Sequence, residues 1–242
     1  MDLLRGDRDV VRIGHRGAAA LGPENSLAAI EIAATQGVDV VELDVVRRGD
    51  GRLVLAHGPA LPPDAALLDE GLELAARLGL AVQMDVKQPG VEAGVVEALR
   101  GSGLLDRSFV SSWSPRTLRA FAGLEPGLPR SLTYPEDRLG ITGRRALRPA
   151  VRPSLAALRV ILPARLPRFI RDTGASAVTL NWTVVTPRAI EVCHRVGVAV
   201  YVWTVNEPAL AKTLVDWEID GIITDDPRLL LTLPSRGIPS TS

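Results

Sequence analysis

A chain of 242 residues with 28 basic and 28 acidic side chains has no global field to draw it to nucleic acid or to an anionic membrane. Its single cysteine, Cys193, excludes an internal disulfide. No stretch approaches the roughly 18 uninterrupted apolar residues that span a bilayer, and MDLLRGDRDVV at the N-terminus lacks a signal-peptide apolar core. The expectation is a soluble, cytoplasmic protein with no protein partner called for.

Apolar, β-branched runs alternate with helix-like segments along the chain. VVRIG (10–14) reads as a first strand, followed by HRG and the loop to Ser26. SLAAIEIAATQG then opens on an N-cap Ser26 and closes on Gly37. VDVVELDVV (38–46) is the second run; it turns at Gly49-Asp50-Gly51 and returns as RLVLAH. DEGLELAARLG reads as a helix, LAVQMDV (80–86) as a strand, and SFVSSW (108–113) and RSLTY (130–134) as two more. SAVTLNW (176–182), the helix from Thr186 to Gly197, VAVYVWTV (198–205), EPALAKTLVDWEID and GIITD (221–225) complete the pattern. Eight doubly buried runs separated by helices fit a closed parallel (β/α)8 TIM barrel, a single domain over 1–242. A doubly wound open sheet is the rival.

In such barrels the loops after the strands build the site, so His15 and Arg16, directly after the first strand, stand at the mouth. Glu42 and Asp44 lie two apart on a strand and face one side. Two carboxylates in an apolar run need a cation or strong donors, and a divalent metal is the natural remedy. A hairpin turn centred between Asp50 and Gly51 would set His57 opposite Asp44. Asp85 and Lys87 share a strand face in the same way. Lysine there is notable in a chain with 26 arginines and two lysines. His194, within a helix beside Cys193, reads as an ordinary packed or half-exposed histidine. Pro23, Glu24 and Asn25 order a loop and, with Ser26, start a helix; Asn25 could also orient a histidine or phosphate.

From Arg138 to Arg171 there are nine arginines and no acid, interleaved with apolar residues. This segment reads either as a basic amphipathic surface for anionic lipid or as a solvated barrel helix whose arginines pair with acids elsewhere. Pro153, Pro163 and Pro167 argue against one long helix.

Taken in order, H-R-G, P-E-N-S, E-L-D, an apolar return ending in His, D-x-K, YVWTVN (201–206) and DGIITDDP (220–227) resemble the glycerophosphodiester phosphodiesterase family of phospholipase-C-like barrels. The resemblance implies that Glu42, Asp44 and Asp85 bind one divalent cation, Mg²⁺ or Ca²⁺, and that His15 and His57 are the general acid and base. It implies further that Arg16 and Lys87 hold phosphate oxygens and that Trp203 flanks the alcohol. The expected reaction is hydrolysis of a glycerophosphodiester, small or lipid-borne, to an alcohol and glycerol 3-phosphate. Phospholipase-D-like formation of a cyclic phosphate and a non-catalytic phosphodiester binder are the alternatives. Three features depart from the family: Gly58 follows His57 where Asp is usual, Asp85 stands where many members have Glu, and the stretch between His57 and Asp85 leaves little material for the usual cap insertion.

Overall fold

The structure, a computed structural model, describes residues 1–6, 9–58, 60–135 and 148–233. Eight parallel strands follow the chain: β1 (Val11–Gly14), β2 (Val40–Arg47), β4 (Ala81–Val86), β5 (Ser108–Ser112), β6 (Arg130–Tyr134), β7 (Ala177–Asn181), β8 (Ala199–Trp203) and β9 (Gly221–Thr224). β1 pairs with both β2 and β9, which closes the sheet and removes the open-sheet alternative. A short β3 (Leu53–Leu55) folds back antiparallel on β2. Among the described residues seven helices alternate with the strands: α1 (Leu27–Thr35), α2 (Leu68–Arg77), α3 (Glu92–Gly101), α4 (Pro115–Leu124), α5 (Arg148–Thr173), α6 (Pro187–His194) and α7 (Pro208–Asp216). The caps read from sequence are present: the Ser26 hydroxyl accepts from Ala29 N at 3.1 Å and the Thr186 hydroxyl from Ala189 N at 3.1 Å.

Inward side chains change character along the barrel axis. At the bottom, Ile13, Val40, Phe109, Ala177, Ala199, Tyr201 and Ile223 form a closed apolar layer with Leu3. The rings of Phe109 and Tyr201 lie 5.4 Å apart, and the Tyr201 hydroxyl donates to Leu3 O at 2.9 Å. Two or four residues further along the same strand faces stand Glu42, Asp44, Asp85 and Ser111. The outer strand faces pack on the helices in two larger apolar clusters. Stability therefore rests below and outside, and the polar groups collect at the top.

Two sequence expectations are corrected. Pro153, Pro163 and Pro167 do not break the chain: α5 is one helix of 26 residues. Each interior proline costs about 3 kcal/mol, whereas Leu158, Leu162, Leu166, Phe169 and Ile170 line one stripe of α5 packed on the barrel, each gaining up to about 1.5–3 kcal/mol from burial. The hairpin register is also one residue off expectation. Arg48 N donates to Arg52 O at 2.8 Å, so the turn centres on Asp50, Val45 pairs with Leu55, and Ala56 rather than His57 falls opposite Asp44.

The turn after β1 is set by Gly17, whose φ is +87° and whose added Cβ would meet the Ala29 carbonyl carbon at 2.6 Å. Gly17→Ala would meet both a left-handed backbone and the helix α1 main chain, so a loss of about 2–4 kcal/mol is expected. Urea denaturation followed by circular dichroism measures it; an unchanged midpoint would show that the turn relaxes freely.

Candidate active site

The strand register brings the acids together. Asp44 of β2 pairs directly with Asp85 of β4, and Glu42, Asp44 and Asp85 each offer an oxygen within 4.8 Å of the others. All three are buried, Asp44 completely. Three hard oxygen donors at that spacing suit one hard divalent cation. The family of donors therefore fits a hard divalent cation.

Fixed cations and donors surround the cluster. Lys87 Nζ lies 2.7 Å from Asp44 Oδ1, an ion pair without hydrogen-bond alignment, and also contacts Asp85 Oδ2. It sits 5.4 Å from the centre of the Trp113 ring. Arg16 Nε is 3.0 Å from Asp44 Oδ2, again without hydrogen-bond alignment, and its Nη1 donates to Glu24 Oε2 at 2.5 Å. Arg16 adopts φ +50°, which turns its backbone N–H onto Glu42 Oε2 at 2.8 Å. Asn25, at φ +56°, clamps Asp44 twice: its amide Nδ2 donates to Oδ2 and its Oδ1 accepts from Asp44 N, both at 2.9 Å. Ser111 Oγ donates to Asp85 Oδ1 at 2.7 Å and accepts from Gln83 Nε2 at 3.0 Å.

Local electrostatics separate the two carboxylates of β2. Burial, with the neighbouring Asp44 charge, pushes Glu42 up to about 7, against the opposing pull of His15 and Lys87. Burial acts in the same direction on Asp44, but Lys87, the His57 contact and Arg16 outweigh it and hold Asp44 well below the usual carboxylate range. Burial opposes the charge on Lys87, yet Asp44, Asp85 and Glu42 together raise it above its ordinary value.

The two imidazoles flank the cluster from different depths. His15 Nδ1 lies 2.5 Å from Asp225 Oδ1 and its Nε2 is 4.0 Å from Glu42 Oε2. Burial alone would lower His15, but the Asp225 contact and Glu42 leave it raised. Asp225 is in turn held by Asn206 Nδ2 at 2.5 Å, while Asn206 Oδ1 accepts from Asp225 N and from the Thr224 hydroxyl, each at 3.0 Å. Burial opposes the Asp225 charge, and its contact with His15 and with Asn206 nevertheless keeps its pKa low. His57 is more open, its side chain half exposed; Nδ1 stands 3.0 Å from Asp44 Oδ2 and 2.9 Å from Arg16 Nη2. Arg16 and Asp44 thus hold the ring where Gly58 can offer no carboxylate.

Every residue singled out at the mouth by sequence lies at this rim. Trp203 ends β8, packs on the interior layer and donates through Nε1 to Thr179 O at 3.1 Å. Pro23 O accepts from the Ser26 hydroxyl at 2.6 Å, so the P-E-N-S stretch serves both helix start and site. His194 stands apart, at the other end of the barrel, with Nε2 2.8 Å from Asp220 Oδ2. Sequence reasoning missed Asp225, Ser111 and Trp113. Asp225 had a usable signal: it follows the last strand, which must neighbour the first strand and hence His15 once the barrel closes.

A closed parallel barrel with this charge pattern at its C-terminal rim falls in the class of (β/α)8 phosphodiesterases. Residues 15–65 and 82–229 match the model of the glycerophosphoryl diester phosphodiesterase family, and the chain belongs to that family, a family of hydrolases. It is 27% identical to a glycerophosphodiester phosphodiesterase of Caldanaerobacter subterraneus, over 93% of this chain and 98% of the relative. A Bacillus subtilis glycerophosphodiester phosphodiesterase is 22% identical over 94% of this chain and 87% of its own. Among solved structures, an Oleispira antarctica phosphodiesterase in complex with the product sn-glycerol-3-phosphate superposes with TM-score 0.74 at 19% identity, covering 94% of this chain and 97% of that one. The family match is interrupted between residues 65 and 82, where the structure holds α2 as regular helix.

Lys87→Met should cost about 3–5 kcal/mol in chelator, because it leaves Asp44 and Asp85 buried without their shared cation. Chemical denaturation with and without added Mg²⁺ or Ca²⁺ tests this. A loss under about 1 kcal/mol would mean that Arg16 and the clamping donors neutralise the cluster unaided.

Proposed function

We propose that this chain, acting as one catalytic domain, hydrolyses glycerol-based phosphodiesters to an alcohol and glycerol 3-phosphate with His15 and His57 as the proton-transfer pair. The observation that carries the reading is the placement of both imidazoles against one buried carboxylate cluster, His15 through Glu42 and His57 through Asp44. With Nδ1–H given to Asp225, His15 turns the lone pair of Nε2 toward the cluster and can accept a proton from an attacking hydroxyl. His57, at the open edge, can exchange a proton with the other oxygen of the diester.

Arg16 and Lys87 supply fixed positive charge for a bound phosphodiester. Phosphoryl transfer depends more on positioned charge than on covalent chemistry from the protein. Glu42, Asp44 and Asp85 would hold a divalent cation, Mg²⁺ or Ca²⁺. When bound, it would neutralise phosphate charge as a Lewis acid. Trp203, half-buried at the end of β8, forms a wall for the alcohol. Family membership supports a role in lipid metabolism. Among the described residues no helix is long and apolar enough to cross a membrane, which is compatible with the proposed cytoplasmic location.

Phosphorus NMR of a small panel of diesters tests the reaction directly. Glycerol 3-phosphate should form with Mg²⁺ or Ca²⁺ and stop in EDTA; a cyclic phosphate product would move the enzyme to the phospholipase-D-like reaction, and no product at all would leave a binder. His15→Ala should lower kcat by about 10²–10⁴. Turnover that persists in both chelator and His15→Ala sinks the mechanism.

Asp225→Asn should lower kcat by up to about 10⁴ with little change in KM, since it frees the tautomer and orientation of His15. Glu42→Gln should weaken calorimetric Mg²⁺ or Ca²⁺ binding while leaving the circular dichroism spectrum intact. Unchanged titration would remove Glu42 from the metal site.

A further inference from the structure

α5, between β6 and β7, has 26 residues, against eight to ten in each of the other helices. At about 1.5 Å per residue α5 is about 39 Å long, whereas the five-residue strands beside it span about 17 Å. Its C-terminal end is fixed at the bottom of the barrel, where Arg130 Nη2 donates to Gly174 O at 3.1 Å and Ser176 N to Arg130 O at 2.8 Å. The N-terminal half of α5 therefore extends past the strands toward the rim that carries His15 and Asp44.

The stripe from Leu158 to Ile170 holds α5 to the barrel, and the opposite face carries Ala157, Val160, Ala164, Arg168 and Arg171. Val160 is 79% exposed, the largest value among the exposed large apolar side chains of the described residues, and Ile161 beside it is 43% exposed. Trp182, 40% exposed, follows β7 at the same rim. Six arginines and one acid, Asp172, occur in α5. Arg168 pairs with Asp172 at 3.4 Å, but Arg159, Arg165 and Arg171 are exposed with no acidic partner among the described residues.

We propose that the outer face of α5 docks on an anionic phospholipid bilayer. Val160 and Ile161 enter the boundary between headgroups and acyl chains, and the arginines meet lipid phosphates. A second copy of this chain fits the face poorly, because a two-fold contact would set arginine against arginine.

Vesicle sedimentation of the full chain tests the docking, with phosphatidylcholine alone and with phosphatidylcholine mixed with phosphatidylglycerol. Binding should require the anionic lipid and fall with salt. Arg159→Gln, Arg165→Gln and Arg171→Gln should each weaken it roughly fivefold, and Val160→Asp should weaken it further. Turnover of a soluble glycerophosphodiester without vesicles should be unchanged in all four variants, which also shows that they fold. Equal sedimentation with both vesicle types, or variants that bind like the parent, would overturn the proposal. So would a dimer in sedimentation velocity that Val160→Asp dissociates while no vesicle binding occurs. Anionic-vesicle binding in a protein that turns over no diester would uphold the docking and sink only the catalytic reading.

Discussion

Three carboxylates held in a barrel top, within 4.8 Å of one another and almost out of water, are the costly element around which the rest of this molecule is arranged. Their mutual repulsion and lost hydration must be offset on the spot. Each neighbouring motif contributes to that. The H-R-G turn aims the Arg16 amide at Glu42 and its guanidinium at Asp44; the P-E-N-S loop delivers the Asn25 clamp; the D-x-K strand supplies Lys87 beside its own Asp85. Countercharge is unevenly shared. Asp44 takes most of it and is held well below the usual carboxylate range, whereas on Glu42 burial and the Asp44 charge outweigh His15 and Lys87 and push it up to about 7.

The same unevenness distinguishes the two histidines. His15 is locked by a chain of contacts from Asn206 through Asp225: β8 pairs with β9, which sets Asn206 beside Asp225, and β9 closes onto β1, which sets Asp225 beside His15. His57 hangs from a hairpin, half exposed, held by Arg16 and Asp44. One imidazole is rigid and deep, and its partner is open to the mouth. That asymmetry suits a diester with one oxygen to be reached inside the pocket and another leaving toward solvent.

The stretch between His57 and Asp85 contains an ordinary barrel helix, while the connection from β6 to β7 is long and runs into α5. The exposed side of α5 carries arginine and aliphatic side chains, with Asp172 its one acid.

Much of this was readable before any coordinates. Strand and helix order, the Ser26 and Thr186 caps and the Glu42–Asp44 and Asp85–Lys87 pairs follow from periodicity and local backbone chemistry, which are encoded within a few residues. Period two was enough to send 42, 44, 85 and 87 to one interior. The register of the hairpin was not readable, because one hydrogen bond at Arg48–Arg52 decides whether position 56 or 57 faces Asp44. Nor was the continuity of α5, where burial along one stripe outweighs the helix-breaking tendency of its prolines. Asp225, Ser111 and Trp113 joined the site only through closure and strand-to-strand register, which are long-range pairings that no short stretch of chain specifies. Local sequence thus determined which groups each strand would carry to the rim; tertiary structure alone decided which of them touch, since contact depends on how separate strands align.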